Sequence, residues 1–158
     1  MSALSRRAAA WLAGVWAGLI AAIGFVAAPV LFATLPRGDA GNAAAHLFRA
    51  DAAIGLGLGA LLLVLALQEA RWRSESGSSR FSAEMVLVLV ALFCIVAGHY
   101  GVEPMIGRGD GPSFAVLHGV ASAFFVVKFA AVAVLAWRLV APRALAPDGA
   151  ISSAAPSS

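Results

Sequence analysis

The chain has 158 residues, of which 61% are hydrophobic and only 12% are charged, and its formal net charge is +3. A soluble domain needs roughly twice that share of charged residues to cover its surface, so the composition excludes an ordinary water-soluble protein and predicts that lipid surrounds most of the molecule. The positive charge does not indicate nucleic-acid binding, because the arginines lie at the ends of apolar segments and form no patch.

Four apolar segments follow one another along the chain, each bounded by charge, proline or glycine. We expect helices over about 8–35, 43–70, 82–103 and 114–140, because a helix of about 20 residues crosses the hydrocarbon core of a bilayer. The short connections predict that helices adjacent in sequence are antiparallel neighbours. The predicted fold is all-α: an integral membrane four-helix bundle in up-down-up-down order, forming a single domain over 1–143 with a disordered cytoplasmic tail over 144–158.

The ten arginines predict the orientation of this bundle. Seven fall on the side that holds both termini, and three fall on the other side. Because cytoplasmic loops carry an excess of basic residues, both termini are expected in the cytoplasm, with the protein in the cell inner (plasma) membrane. The tryptophans also lie toward the cytoplasmic half, where they would anchor the helices in the interface: they are Trp11, Trp16, Trp72 and Trp137.

Several residues bear on how the helices pack. Pro29 lies inside the first predicted helix, where it removes a backbone hydrogen bond and predicts a kink. Cys94, the only cysteine, is interpreted as a small buried hydrophobe. Small residues one turn apart predict close helix contacts, either within the bundle or between two copies of the chain: they are Gly14 and Gly18, Gly55 and Gly59, and Gly119 and Ala123.

Histidines near the outer ends of two predicted helices are the first candidate site. His99 lies one turn before the end of the third helix, His118 lies about one turn into the fourth, and Glu103 follows His99 by four residues. Neutral imidazole binds transition metals and haem iron, so we interpret His99 and His118 as a ligand pair with Glu103 at its rim. The alternative is that the imidazoles only bond the backbone or each other and fix the helix register.

Two charges inside the predicted helices are the second candidate site. A charge in hydrocarbon carries a free-energy penalty of about 2.5–3.5 kcal/mol on insertion scales, so each one needs a reason. Lys128 lies near the middle of the fourth helix, and Asp51 enters the second from the outer side. The two are within reach of each other along a lysine stem. They are interpreted as a bundle-facing ion pair, which serves either as a structural contact or as part of a ligand path.

The segment Gly98-His99-Tyr100-Gly101-Val102-Glu103-Pro104, followed by His118-Gly119-Val120-Ala121-Ser122, resembles a four-helix membrane family called domain of unknown function 4149, which contains proteins similar to transmembrane protein 205. The segment Ala28-Pro29-Val30-Leu31-Phe32, the pair Ala40-Gly41 and Phe48 are similar to its first half. The resemblance spans about 8–140 and implies the four-helix fold. It implies no activity, and Lys128 has no counterpart in it. The residues whose importance it implies are Pro29, Phe32, Gly41, His99, Pro104, His118, Gly119 and Ser122.

Three functions remain open from the sequence. The first is a membrane protein that binds a metal ion or haem through His99 and His118. The second is a non-catalytic scaffold subunit that contacts the bilayer and either a membrane partner or a second copy of itself. The third is a transporter of a small solute or a metal conjugate, indicated by Lys128 and Asp51, although no internal repeat supports it. An enzyme of ordinary type is not expected, because the sequence has no nucleophile–base pair, phosphate-binding loop or dinucleotide motif.

Overall fold

A computed structural model describes residues 3–75, 82–102, 104–105 and 113–141. The regular structure of this part of the chain is entirely helical, and four helices are long and apolar enough to cross a membrane. The predicted all-α class and multi-pass membrane character are therefore confirmed. The helices are α1 (Ala3–Ala21), α2 (Ala28–Thr34), α3 (Arg37–Glu75), α4 (Ala83–Ile95) and α5 (Phe114–Val140), with π-helical segments π1 (Ala22–Ala27) between α1 and α2 and π2 (Val96–Val102) after α4.

The helices begin and end where the local sequence allows. Leu35 is extended, as expected for a residue before proline, and it separates α2 from α3. Helix α3 then begins at Arg37, earlier than the predicted start near 43, because the carbonyl of Pro36 accepts the Ala40 N–H at 2.9 Å and the polar residues that follow continue the helix. Ser82 caps α4 through a hydrogen bond from the Met85 N–H at 3.2 Å.

Both π-helical segments end two residues before a proline. Pro29 follows π1, and Pro104 follows π2. A proline ring clashes with the carbonyl one turn earlier and donates no hydrogen bond, and the wider π turn relieves that clash. The sequence predicted a local disturbance at Pro29 but not its π-helical form.

The core lies inside the bundle, in which α1 and α4 each pack against both α3 and α5. Trp16 of α1 is fully buried, so its predicted role as an interfacial anchor is wrong. Its indole fits against Gly55 and Gly59 of α3, where an added methyl group would lie 3.1 Å from the indole in each case. These two glycines therefore serve packing within the bundle. In contrast, nothing lies within 4 Å of a methyl group added at Gly14, Gly18 or Gly119.

Arg6 ties the beginning of α1 to the end of α5. Its guanidinium donates to the carbonyls of Leu139 at 3.0 Å, Arg138 at 3.1 Å and Ala141 at 2.9 Å. The last carbonyls of a helix have no partner within the helix, so this arginine satisfies groups that would otherwise need water or a cap.

Candidate functional site

The deepest charges of the bundle form an ion pair. Lys128 of α5 reaches Asp51 of α3, and its Nζ donates a hydrogen bond to Oδ2 of the carboxylate. Lys128 is 6% exposed and Asp51 is 1% exposed. The predicted pairing is confirmed, and Lys128 faces the bundle rather than its surface.

Aromatic rings cover the ion pair on one side. Phe125 lies one turn before Lys128 on α5, and its ring centroid is 5.1 Å from the ammonium nitrogen, within range of a cation–π interaction. The same ring meets Phe48 edge to face at 5.6 Å and Phe25 at 6.2 Å. Phe48 lies one turn before Asp51 on α3. This aromatic layer, formed by Phe25, Phe48 and Phe125, separates the pair from the ends at which α3 and α5 begin.

Apolar side chains fill the bundle on the other side of the pair. Trp16, Ile20, Val132 and Leu135 are each at most 2% exposed. Leu135 lies two helical turns beyond Lys128, about 10 Å along the axis. The ion pair is therefore enclosed from both directions along the bundle.

A small cavity of about 40 Å³ lies on the far side of these apolar side chains from the ion pair. Leu62 and Leu135 form part of its wall, and a cavity of this size holds a few water molecules at most. Its polar lining comes from three helices and one cap: Arg6 of α1, Glu69 of α3, Glu84 of α4 and the capping residue Ser82. Glu69 is only 9% exposed. These charged groups lie at the end of the bundle where α1 begins, and the buried side chains of Leu135 and its neighbours separate them from the ion pair.

Two buried polar atoms near the pair have no hydrogen-bond partner in the described part of the chain. They are Oδ1 of Asp51 and Nε1 of Trp16. The Trp16 nitrogen faces Gly55, which lies one turn after Asp51 on α3. The buried Cys94 thiol, as predicted a core residue, lies within electrostatic range of Lys128. The site therefore contains the Lys128–Asp51 ion pair and the Cys94 thiol. It also contains one hydrogen-bond acceptor, Asp51 Oδ1, and one donor, Trp16 Nε1, that have no partner among the described residues.

The two candidate ligand histidines make contacts within their own helical segments. His99 lies in π2, half-buried, and its ring meets Tyr100 edge to face at 4.9 Å. His118 is exposed and stacks on Phe114 at 5.6 Å. Between the two elements, a methyl group added at Gly98 of π2 would lie 3.5 Å from Phe124 of α5.

This approach of π2 to α5 lies further along α5 than His118. Phe124 follows His118 by six residues, about 9 Å along the helix. Glu103 lies outside the described residues. Among the residues that the structure describes, no group of three or more His, Cys, Asp or Glu side chains could hold a metal ion. The paired-histidine metal or haem site stays a prediction.

The remaining residues singled out by the resemblance lie on the surface of the described bundle, apart from Gly41, which is half-buried. The exposed ones are Pro29, Phe32, Pro104, Gly119 and Ser122. Sequence reasoning did not single out Trp16, Phe48 or Phe125 as parts of a site. Each phenylalanine precedes a charge by three residues, a spacing that places both on one helix face and could have identified the layer.

A family model described as domain of unknown function, DUF4149, matches residues 11–108, more than half of the chain. The matched region includes Asp51 and His99 and ends before α5, which carries Lys128 and His118. Comparisons with curated proteins and with solved structures found no match.

Proposed function

Because this chain belongs to the DUF4149 family, whose description assigns no function, we propose from its own residues that it is a proton-translocating protein of the inner membrane. The observation that carries the proposal is the enclosed Lys128–Asp51 ion pair. Ionisable groups at membrane depth are costly to insert and usually serve a path for ions or protons. The proposal narrows the transporter hypothesis to the movement of protons.

The choice of cation supports this proposal. Lys128 is the only lysine in a chain that has ten arginines. A guanidinium keeps its proton under all ordinary conditions, whereas a buried ammonium can release one. Transfer of a proton from the Lys128 ammonium to the Asp51 carboxylate breaks an N–H bond, forms an O–H bond and leaves two neutral groups. This internal transfer keeps the net charge of the pair at zero. For translocation the pair must also take up a proton from one side, which gives it a charge of +1, and release a proton to the other side.

The surroundings give this pair two distinct sides. The cavity lined by Arg6, Glu69 and Glu84 lies on the side where α1 begins, and the aromatic layer lies on the other. In the proposed orientation the helices alternate in up-down-up-down order, both termini are cytoplasmic, and the cavity opens toward the cytoplasm. The Arg6 contacts with the end of α5 and the 3.8 Å approach of Arg138 to Glu84 support the alternating order.

Proton flux through purified protein in vesicles tests the proposal. An imposed pH gradient should collapse faster in vesicles with the wild-type chain than in empty vesicles, with the internal pH followed by a trapped fluorescent dye. Asp51→Asn should abolish the difference, because the amide does not take up the proton. Asp39→Asn is the matched control, since Asp39 lies on the same helix but is exposed. Equal rates in wild-type and empty vesicles would refute the function.

Metal or haem binding is the second candidate, and the observation that favours it is the position of His99 in a π-helical segment, a form that is frequent at functional sites. Metal analysis and absorbance spectra of the purified wild-type protein test it. A bound species that is lost in both His99→Ala and His118→Ala would establish the pair as ligands. Protein from metal- and haem-replete cells that carries neither would exclude it.

Association with a membrane partner or a second copy remains a proposal alongside either function. It is favoured by the exposed small residues Gly14 and Gly18 on α1 and Gly119 and Ser122 on α5, which would let another helix approach closely. The mass of the protein in detergent, with Gly119→Leu as the test variant, decides between a monomer and an assembly.

A further inference from the structure

The ion pair uses only half of the Asp51 carboxylate. Lys128 bonds Oδ2, while Oδ1 has no hydrogen-bond partner among the described residues, in a side chain that is 1% exposed. Trp16, which is fully buried, has the same deficiency at Nε1. Buried polar atoms in folded proteins are nearly always paired with protein or with ordered water, so two unpaired atoms in one region need an explanation.

The two unpaired atoms lie near the same short stretch of α3: one belongs to Asp51, and the other packs against Gly55 one turn later. A methyl group added at Gly55 would lie 3.1 Å from Trp16 Nε1, so the indole nitrogen is directed at this glycine. Gly55 follows Asp51 by four residues, and residues at this spacing lie on one helix face about 6 Å apart. Because Gly55 has no side chain, residue 55 places no side-chain atom beside the indole nitrogen on this face of α3.

The chemistry of the two atoms specifies what fits between them. An ionised carboxylate oxygen only accepts hydrogen bonds, and an indole N–H only donates one. A group that bridges them must donate to Asp51 and accept from Trp16, which a hydroxyl does. The ligand should carry no charge, because Lys128 already balances Asp51. It must also be small, because a methyl group at Gly55 would lie only 2.9 Å from Cδ1 of Ile95.

We propose that Asp51 Oδ1 and Trp16 Nε1 form a binding site for a single hydroxyl group, which a water molecule occupies. The water donates one hydrogen bond to the carboxylate and accepts one from the indole. It fixes the orientation of Asp51 toward Lys128 and explains why a tryptophan lies in the core rather than at the interface. This site is independent of whether the protein moves protons.

Nuclear magnetic resonance of the full chain, labelled with ¹⁵N at the tryptophan indoles in deuterated detergent, tests the site. The Trp16 indole proton should show a cross-peak at the water frequency with the sign of a long-lived bound water. Trp16→Phe assigns the resonance. Trp11, which is 76% exposed, supplies the contrast within the same sample. A Trp16 indole proton without a water cross-peak would overturn the proposal, because the indole would then bond the protein directly or nothing at all.

Two variants check the position of the water. Gly55→Ala places a methyl group beside the indole nitrogen and should remove the cross-peak. The double variant Asp51→Leu with Lys128→Met removes the acceptor without leaving an unpaired charge, and it should remove the cross-peak as well. A folded variant of either kind that keeps the bound water would contradict the assigned site. If neither variant folds, the wild-type spectrum alone decides.

Discussion

At the scale of single residues, the Lys128–Asp51 ion pair lies between an aromatic layer and buried apolar side chains. Lys128 and Asp51 were identifiable because a charge inside an apolar helix needs a partner, and the predicted connections left few candidates. The burial of Trp16 could not be predicted from its own helix. It depends on Gly55 and Gly59 of α3, which remove side chains at the point where the indole packs. Space that the glycines of a second helix provide leaves no pattern in the sequence around the tryptophan itself.

The ion pair predicts a specific pattern of stability losses. Lys128→Met and Asp51→Asn should each lower the free energy of unfolding by about 3–5 kcal/mol, because each leaves an uncompensated buried charge or polar group. The double variant should lose less than the sum of the two single losses. Thermal unfolding in detergent, followed by circular dichroism, measures these values. Asp39→Asn should stay within about 0.5 kcal/mol of wild type. Additive losses would mean that the two side chains do not interact.

At the scale of the helices, the hydrophobic pattern predicted α5 closely, with an expected range of about 114–140 and an observed range of Phe114–Val140. Helix α3 extends beyond the apolar segment at both ends. Once the apolar segment has formed a helix, each further residue adds to it at little cost, so polar residues such as Asp39 and Asn42 continue it. The π-helical segments were not predictable, because a π turn and an α turn bury similar apolar residues and differ only in backbone geometry.

The first π-helical segment also brings Gly24 against α5. A methyl group at Gly24 would overlap the ring of Phe125, whereas nothing lies within 4 Å of one at Gly18. Gly24→Ala should therefore destabilise the protein by about 1–3 kcal/mol through overpacking of a rigid ring. Gly18→Ala should leave stability unchanged or raise it by up to about 1 kcal/mol, through helix propensity alone. Thermal unfolding compares the two variants, and equal losses would show that the Phe125 contact is not responsible.

The guanidinium of Arg6 provides a second test at this scale. Arg6→Ala removes three hydrogen bonds to the last carbonyls of α5 and should lower stability by about 1–2 kcal/mol. It should also speed hydrogen exchange at the amides of the last turn of α5. Arg7→Ala is the matched control, since it removes the same charge from an exposed neighbour. If both variants behave alike, the loss comes from the charge and not from the bonds.

At the scale of the whole molecule, the distribution of arginines predicts the topology. Reporter fusions after Arg80 and at the C-terminus should report the cytoplasm, and a fusion after Gly109 should report the opposite side, because basic residues are retained in the cytoplasm. Paired reporters that are active on only one side of the membrane measure this directly. A C-terminal fusion that is active only outside would reverse the proposed orientation, and the cavity at the Arg6 end would then open outward.

The core encloses the only lysine and the only cysteine of the chain, Lys128 and Cys94. Apart from the amino terminus, the folded protein therefore offers no side-chain amine or thiol to reagents dissolved in water. Amine-directed crosslinkers will fail to join copies of it through lysine, whatever its association state. For the same reason, slow labelling of Lys128 or Cys94 would report how often the interior opens, with the wild-type chain serving as its own reporter.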